Sequence, residues 1–153
     1  MALLASGDAQ AQEQDIDTKR GVLGHLSQHI GTLNQRAVFN DPAVRRSLGA
    51  LLGEANLRIL TSNLQLITPI AFDGTALVLR GMRAQAAGEQ EAFMTLRPAD
   101  GLIEVAILTG GRVRLISQRP SGERSEWLDP QLTRWGVSRG TPLDERRVPL
   151  ASR

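Results

Sequence analysis

Between residues 57 and 117, apolar segments follow one another with connections too short to cross a sheet, and this order constrains the fold more than any other feature. Thr75–Arg80 reads TALVLR and Glu91–Leu96 reads EAFMTL. Leu102–Leu108 is apolar apart from Glu104, and Arg112–Ser117 alternates arginine with apolar residues. Asp73-Gly74, Arg97–Gly101 and Thr109-Gly110-Gly111 lie between or before them and carry the residues tight turns require. Parallel pairing would need connections of about a dozen residues or more, so the order specifies an antiparallel meander. Leu57–Leu60 and Leu64–Ile70 extend the strand-like reading upstream, with Pro69 marking an edge or a strand end.

Helical patterns come first. Within Asp15–Arg36, the residues Val22, Leu23, Leu26, Ile30 and Leu33 recur at spacings of three and four, which predicts a helix ending near Gly31 or Asn34. Gly21, Gly24 and Gly31 oppose it, each costing roughly 1 kcal/mol against alanine in a helix interior. A second helix is better specified. Asp41 can cap it, Pro42 suits its first position, and Val44, Leu48, Leu51 and Leu52 form one apolar stripe, with Gly53 as its end. Helices followed by strands predict an α+β domain: N-terminal helices packed on an antiparallel meander of about five strands. A short helical or irregular C-terminal extension follows. There Asp129-Pro130 starts a short helix toward Trp135, Trp127 and Trp135 pack the tail on the domain, and residues from about Ser138 onward read as mobile. The expected division is a leader at 1–14, the α+β domain at 15–118, and a basic, Pro/Gly-punctuated, partly docked tail at 119–153.

Composition limits the partners. The net charge is only +2, and the high pI comes from seventeen arginines beside a single lysine, Lys19. Residues 111–153 carry nine arginines against five acids, while residues 1–110 carry nine Lys+Arg against eleven acids. Nonspecific nucleic-acid binding needs clustered cations, and single strands also want aromatic platforms. With aromatics at 3%, the chain argues against nucleic acid. The absence of cysteine excludes disulfides and thiolate zinc sites. No apolar stretch approaches the ~20 residues of a membrane helix. The N-terminus begins apolar and reaches Ala9-Gln10-Ala11, an A-x-A pattern of the kind cut after a secretory signal. A signal peptide with its true start upstream, and hence a periplasmic or secreted protein, is the expectation; an unstructured cytoplasmic leader is the alternative.

Little in the chain suggests catalysis. His25 and His29 would share a helix face, but no neighbouring carboxylate or thiol completes a metal site, and a solvated pair explains them. Glu89 and Glu91 could form a carboxylate pair at the loop edge; two solvated side chains are the simpler reading. No nucleophile elbow or phosphate loop occurs. The expectation is a non-enzyme with no metal and no cofactor.

The connection GMRAQAAGEQ, Gly81–Gln90, is polar and longer than the roughly two to five residues of most hairpin loops. Such loops often carry function. Met82 and Arg83 open it, Gln85 lies in the middle, and Gly88, free to take a positive φ, precedes Glu89. These five residues, Met82, Arg83, Gln85, Gly88 and Glu89, are the candidate binding set.

Over roughly residues 40–117 the layout of helix, strand, glycine turn, strand, long loop and strand resembles the Ivy family, periplasmic inhibitors of vertebrate-type lysozyme. The family loop typically reads C-K-P-H-D-C-G, pinned by a disulfide and inserting its histidine into the lysozyme cleft. Met82–Gly88 occupies the matching stretch. Met82 and Ala87 replace the two cysteines, Gln85 stands in place of the histidine, and only Arg83 and Gly88 are retained in kind. The resemblance implies a periplasmic binding or inhibitor-like module that uses the 82–90 loop against a protein partner, a peptidoglycan-cleaving enzyme. A second reading stays open: a structural or assembly protein that oligomerises, as a homodimer, through a sheet edge or the C-terminal tail.

Overall fold

Strand pairing follows the turn signals. The computed structural model describes residues 21–150, so the leader expected at 1–14 lies outside the described residues. A 3-10 turn at Gly24–His29 leads to α1 (Gln35–Asn40) and α2 (Pro42–Ser62). The strands β1 (Leu66–Ile67), β2 (Ala71–Phe72), β3 (Leu77–Met82), β4 (Glu91–Leu96), β5 (Ile103–Thr109) and β6 (Arg112–Ser117) come next. The chain ends with α3 (Leu128–Arg134), a 3-10 turn at Val137–Arg139, and β7 (Leu143–Arg147). The sheet runs β1-β3-β4-β5-β6-β7, with β2 also paired to β3. Every pairing is antiparallel except β6 with β7. That parallel pair has the one long connection, through α3, as parallel geometry demands. The fold is α+β, and the expected meander is present with strands added at both edges.

Three local expectations are corrected. The helix read across Asp15–Arg36 is, in its described part, a six-residue 3-10 turn and then the separate α1. Gly21 explains why: a Cβ there would lie 2.3 Å from the Cα of Ala99. The segment docks instead on the Arg97–Gly101 turn, where Leu23 N–H donates to the Pro98 carbonyl at 2.9 Å. Only Leu23 and Leu26 turn inward, while Val22, Ile30 and Leu33 stay exposed. Second, Leu57–Leu60 is helix, not strand. Gly53 takes φ 75° and ψ 169°, which breaks α2 without ending it, and the helix resumes to Ser62. Third, residues beyond Ser138 contain β7, whose backbone aligns Val113 with Leu143 through Ser117 with Arg147.

Other expectations hold. The Asp41 carboxylate accepts from the N–H groups of Ala43 and Val44, capping α2 ahead of Pro42. Val44, Leu48, Leu51 and Leu52 are all buried. Asp73 closes its turn by accepting from Thr75 and Ala76 N–H.

Strand alternation divides the sheet into two faces. Leu77, Leu79, Ala92, Met94, Leu96, Ile103, Val105, Ile107 and Ile116 share one cluster with Val38 of α1 and the stripe of α2. Val78, Phe93, Ala106, Leu108, Val113 and Leu115 share another with Leu128, Leu132 and Trp135. Helices thus cover both faces, and α3 is the cover that the N-terminal helices cannot supply.

Candidate functional site

The 82–90 loop holds its shape through its own backbone. Arg83 N–H donates to the Gln90 carbonyl at 2.8 Å and closes the base. Ala86 N–H returns to Arg83 O at 3.1 Å, and Glu89 and Gln90 N–H both return to Ala86 O at 3.0 and 2.9 Å. Two successive turns therefore fill the space between β3 and β4. Two side chains brace them: Gln65 Oε1 accepts from Ala84 N–H at 3.1 Å, and Gln90 Oε1 accepts from the Thr109 hydroxyl at 2.8 Å. Gly81 allows the first brace. A Cβ there would meet Leu64 Cδ2 and Leu66 O, both at 2.9 Å, so only glycine lets β1 and Gln65 come so close.

Arg83, Gln85, Gly88 and Glu89 are exposed on this loop. Gly88 has φ 80°, the conformation for which a glycine was expected. Gln85 has φ 63°, the one non-glycine with positive φ among the described residues. A left-handed backbone at a side-chain-bearing residue costs on the order of 1 kcal/mol or more and commonly marks a functional position. Met82 differs from the others. It ends β3, is half-buried, and faces a groove beside the loop rather than the loop's outer surface.

Glu91 is corrected from a solvated loop-edge acid to a buried anchor. It is 2% exposed, and its two carboxylate oxygens accept from Arg134 Nη2 and Trp135 Nε1, each at 2.8 Å. Glu89 does not join it. Together these contacts pin α3 beside the loop. The amide of Asn63 adds a second tie, donating to the Glu91 and Leu108 carbonyls at 3.2 Å.

A second buried carboxylate, Glu104, lies on the same face. Its oxygens accept from Ser125 N–H at 3.1 Å and the Ser117 hydroxyl at 3.2 Å, with Arg119 Nε 3.6 Å away. Burial pushes its carboxyl above the ordinary glutamate value, outweighing the Ser125 hydrogen bond and the charges of Arg119 and Arg147. The histidine pair behaves differently from a metal site. In the 3-10 turn His25 and His29 do not stack at helical spacing, and His25 Nε2 lies 2.5 Å from Asp41 Oδ2. Burial raises the Asp41 carboxyl, but the His25 and backbone hydrogen bonds prevail and hold it below its usual range. Among the described residues there is no group of three or more metal-binding side chains.

Two adjoining grooves flank the loop on the α3 side. One, of about 460 Å³, is lined by Arg80, Glu126, Trp127, Pro130, Gln131 and Arg134. The other, of about 360 Å³, shares Arg80, Gln131 and Arg134 and continues past Ile67 and Met82 to the foot of the loop. Sequence reasoning missed this feature. One signal was available: Arg80 sits at an inward position of TALVLR, in step with Val78, where an apolar residue is the norm. Its neighbours on α3 come from fifty residues later, and no local pattern places them there.

A family model described as inhibitor of vertebrate lysozyme (Ivy) matches residues 43–136, which takes in α2, the meander, the 82–90 loop and α3. Among the curated proteins and the solved structures, none matches this chain.

Proposed function

The chain belongs to the inhibitor of vertebrate lysozyme family, and from that premise we propose that it is a non-enzymatic, periplasmic binding module. Its partner is a lysozyme-like, peptidoglycan-cleaving enzyme, engaged through the 82–90 loop. The observation that carries the reading is the loop itself: a self-bonded double turn that exposes Arg83 and Gln85, with Gln85 held in a left-handed conformation. With no cysteine in the loop, the backbone bond between Arg83 and Gln90 closes its base, a weaker constraint than a disulfide. It limits the conformations the loop would lose on binding, which reduces the entropic cost of association.

The chemistry of the target fits these side chains. Glycoside hydrolases of this class work with a pair of carboxyl groups flanking the scissile bond. Arginine presents a planar fork of N–H donors matched to a carboxylate, and glutamine offers both a donor and an acceptor without needing protonation. Gln85 would bring no titrating group of its own to the contact, so pH dependence of inhibition near neutrality would come from the enzyme's carboxyl groups. No helix among the described residues is long and apolar enough to cross a membrane, which is compatible with a protein acting in the periplasm.

The test is a panel of vertebrate-type lysozymes and other muramidases assayed with added protein, wild type and the Arg83→Ala/Gln85→Ala double variant. Inhibition of at least one enzyme, weakened about tenfold or more by the double variant, is expected, since loss of a charged contact costs on the order of 1.5–3 kcal/mol. Equal inhibition by both proteins, or none across the panel, overturns the assignment to the loop. Oligomerisation through the β7 edge is disfavoured by its chemistry, since Asp144, Glu145 and Arg146 are exposed there and charged edge strands resist pairing with another chain.

A further inference from the structure

The grooves beside the loop contain an arginine whose inner N–H lacks an acceptor. Arg80 Nε is buried and without a hydrogen-bond partner, and no carboxylate among the described residues forms an ion pair with Arg80. Its guanidinium lies 5.4 Å from the ring centroid of Trp127, a cation–π arrangement that fixes the plane of the side chain. Leaving a buried donor unmet costs about 1–3 kcal/mol, so the position asks for an acceptor.

The surroundings say which kind. Glu91, the nearest inward acid, already has both oxygens engaged by Arg134 and Trp135. Arg134 remains more than half exposed; Glu91 and the Gln131 amide oxygen engage its Nη2 and Nε, which leaves the Nη1 donors open at the junction of the two grooves. Glu126 lines the outer groove on its exposed rim. Beyond the two arginines the walls carry apolar surface, Trp127 and Pro130 on one side and Leu66, Ile67 and Met82 on the other, with Gln131 and Thr68 as neutral polar groups between them. Leu66 is 54% exposed, a large apolar side chain left open at the inner groove, where Arg134 is paired with Glu91 and Arg80 is the cation without an ion-pair partner among the described residues.

We propose that Arg80 and Arg134 form a carboxylate-binding cleft that takes a peptide carrying an apolar side chain next to its carboxylate. The carboxylate would accept from the Arg80 guanidinium and the free donors of Arg134, and the apolar side chain would lie over Leu66, Ile67 and Met82. The site adjoins the loop but does not depend on it, so it stands whether or not the loop inhibits a lysozyme. The carboxylate can be a peptide C-terminus or an acidic side chain within a chain.

The test uses isotope-labelled full-length protein and two-dimensional NMR of arginine Nε–H and tryptophan indole signals. The probes are N-acetyl-Leu-Phe with a free C-terminus, its C-terminal amide, and N-acetyl-Leu-Glu amide. The expected result is a saturable shift of the Arg80 Nε–H and Trp127 indole signals with the free acid. The amide of the same peptide should bind about tenfold more weakly, or not at all, in line with the loss of a charge-assisted hydrogen bond. A shift with the Leu-Glu amide alone assigns the site to an internal acidic residue; a shift with the free acid alone assigns it to a C-terminus. No saturable shift with any probe, or equal shifts with acid and amide, overturns the proposal. Arg80→Gln should abolish the response. Because the wild-type signals report directly on the site, the result stands even if that variant folds poorly.

Discussion

The two faces of the sheet are built from different materials. Under α1 and α2 the fully buried contact is aliphatic, from Leu77 to Ile116, with Phe39 and Phe72 packed at its margin, and the few polar groups near it cap or bridge backbone. Under α3 the apolar cluster is interrupted by Glu91, Glu104 and Arg80, each projecting inward from a strand position that packing alone would fill with a hydrophobe. An aliphatic face needs only the right volume. A face with ionisable groups calls for partners, and those of the two glutamates, Ser117 apart, lie after residue 117: Arg134, Trp135, Ser125 and Arg119. The first face stabilises the domain; the second specifies how the C-terminal segment must sit, and with it the grooves beside the loop.

Breaking the aliphatic face should have the largest effect. Leu79→Ala removes a fully buried side chain between the sheet and the helices, and about 2–5 kcal/mol of stability should be lost in urea unfolding. Gly81→Ala tests the close approach of β1. Its methyl would press on the Leu66 carbonyl, and a loss of about 1–3 kcal/mol is expected, together with faster hydrogen exchange at Ala84 as Gln65 is displaced. On the other face, Glu91→Ala should cost about 2 kcal/mol. Arg134 stays hydrated when its partner leaves, so most of the loss comes from the buried Trp135 indole N–H, which keeps only the Gln131 amide oxygen as an acceptor. Tryptophan fluorescence should report the loosened α3.

The smallest effect sharpens the comparison by its sign. Because the folded state raises the Glu104 pKa above 4.5, the fold binds a proton there more readily than the unfolded chain. Its contribution to stability is fully present below the ordinary glutamate value and is lost as pH rises through the folded value. Glu104→Gln should therefore gain on the wild type as pH increases from about 4 to about 7, as read by denaturant melts at each pH. Asp41 works in the opposite sense: with its pKa lowered, its contribution is present above the ordinary aspartate value and is lost as pH falls through the folded value.

The same division explains what could be read from the chain. The meander was legible because each turn lies next to the strands it joins, and Asp73-Gly74 or Gly110-Gly111 states its geometry locally. The α2 stripe and its Asp41 cap were legible for the same reason. Leu57–Leu60 misled because a four-residue apolar run fits either a strand or the last turn of a helix, and Gly53 marks an end and a mere break alike. The loop's position was visible, but not its bonding, which rests on carbonyls and on Gln65, just ahead of β1. The groove was hidden because its residues, Arg80 and Arg134, are far apart in sequence and meet only when α3 docks.

The parallel pairing of β7 with β6 has a consequence for the order of folding. Strands β3 to β6 are joined by near-neighbour connections, so their pairing can form once residue 117 is available. Residues 118–142 must be laid down before β7 can close, a longer and entropically costlier loop. Until α3 docks, its face of the sheet lies bare, with Glu91 and Glu104 hydrated and Arg80 not stacked on Trp127. The groove therefore needs the chain through Arg134, and a chain stalled before that point would carry the exposed loop without the cleft beside it.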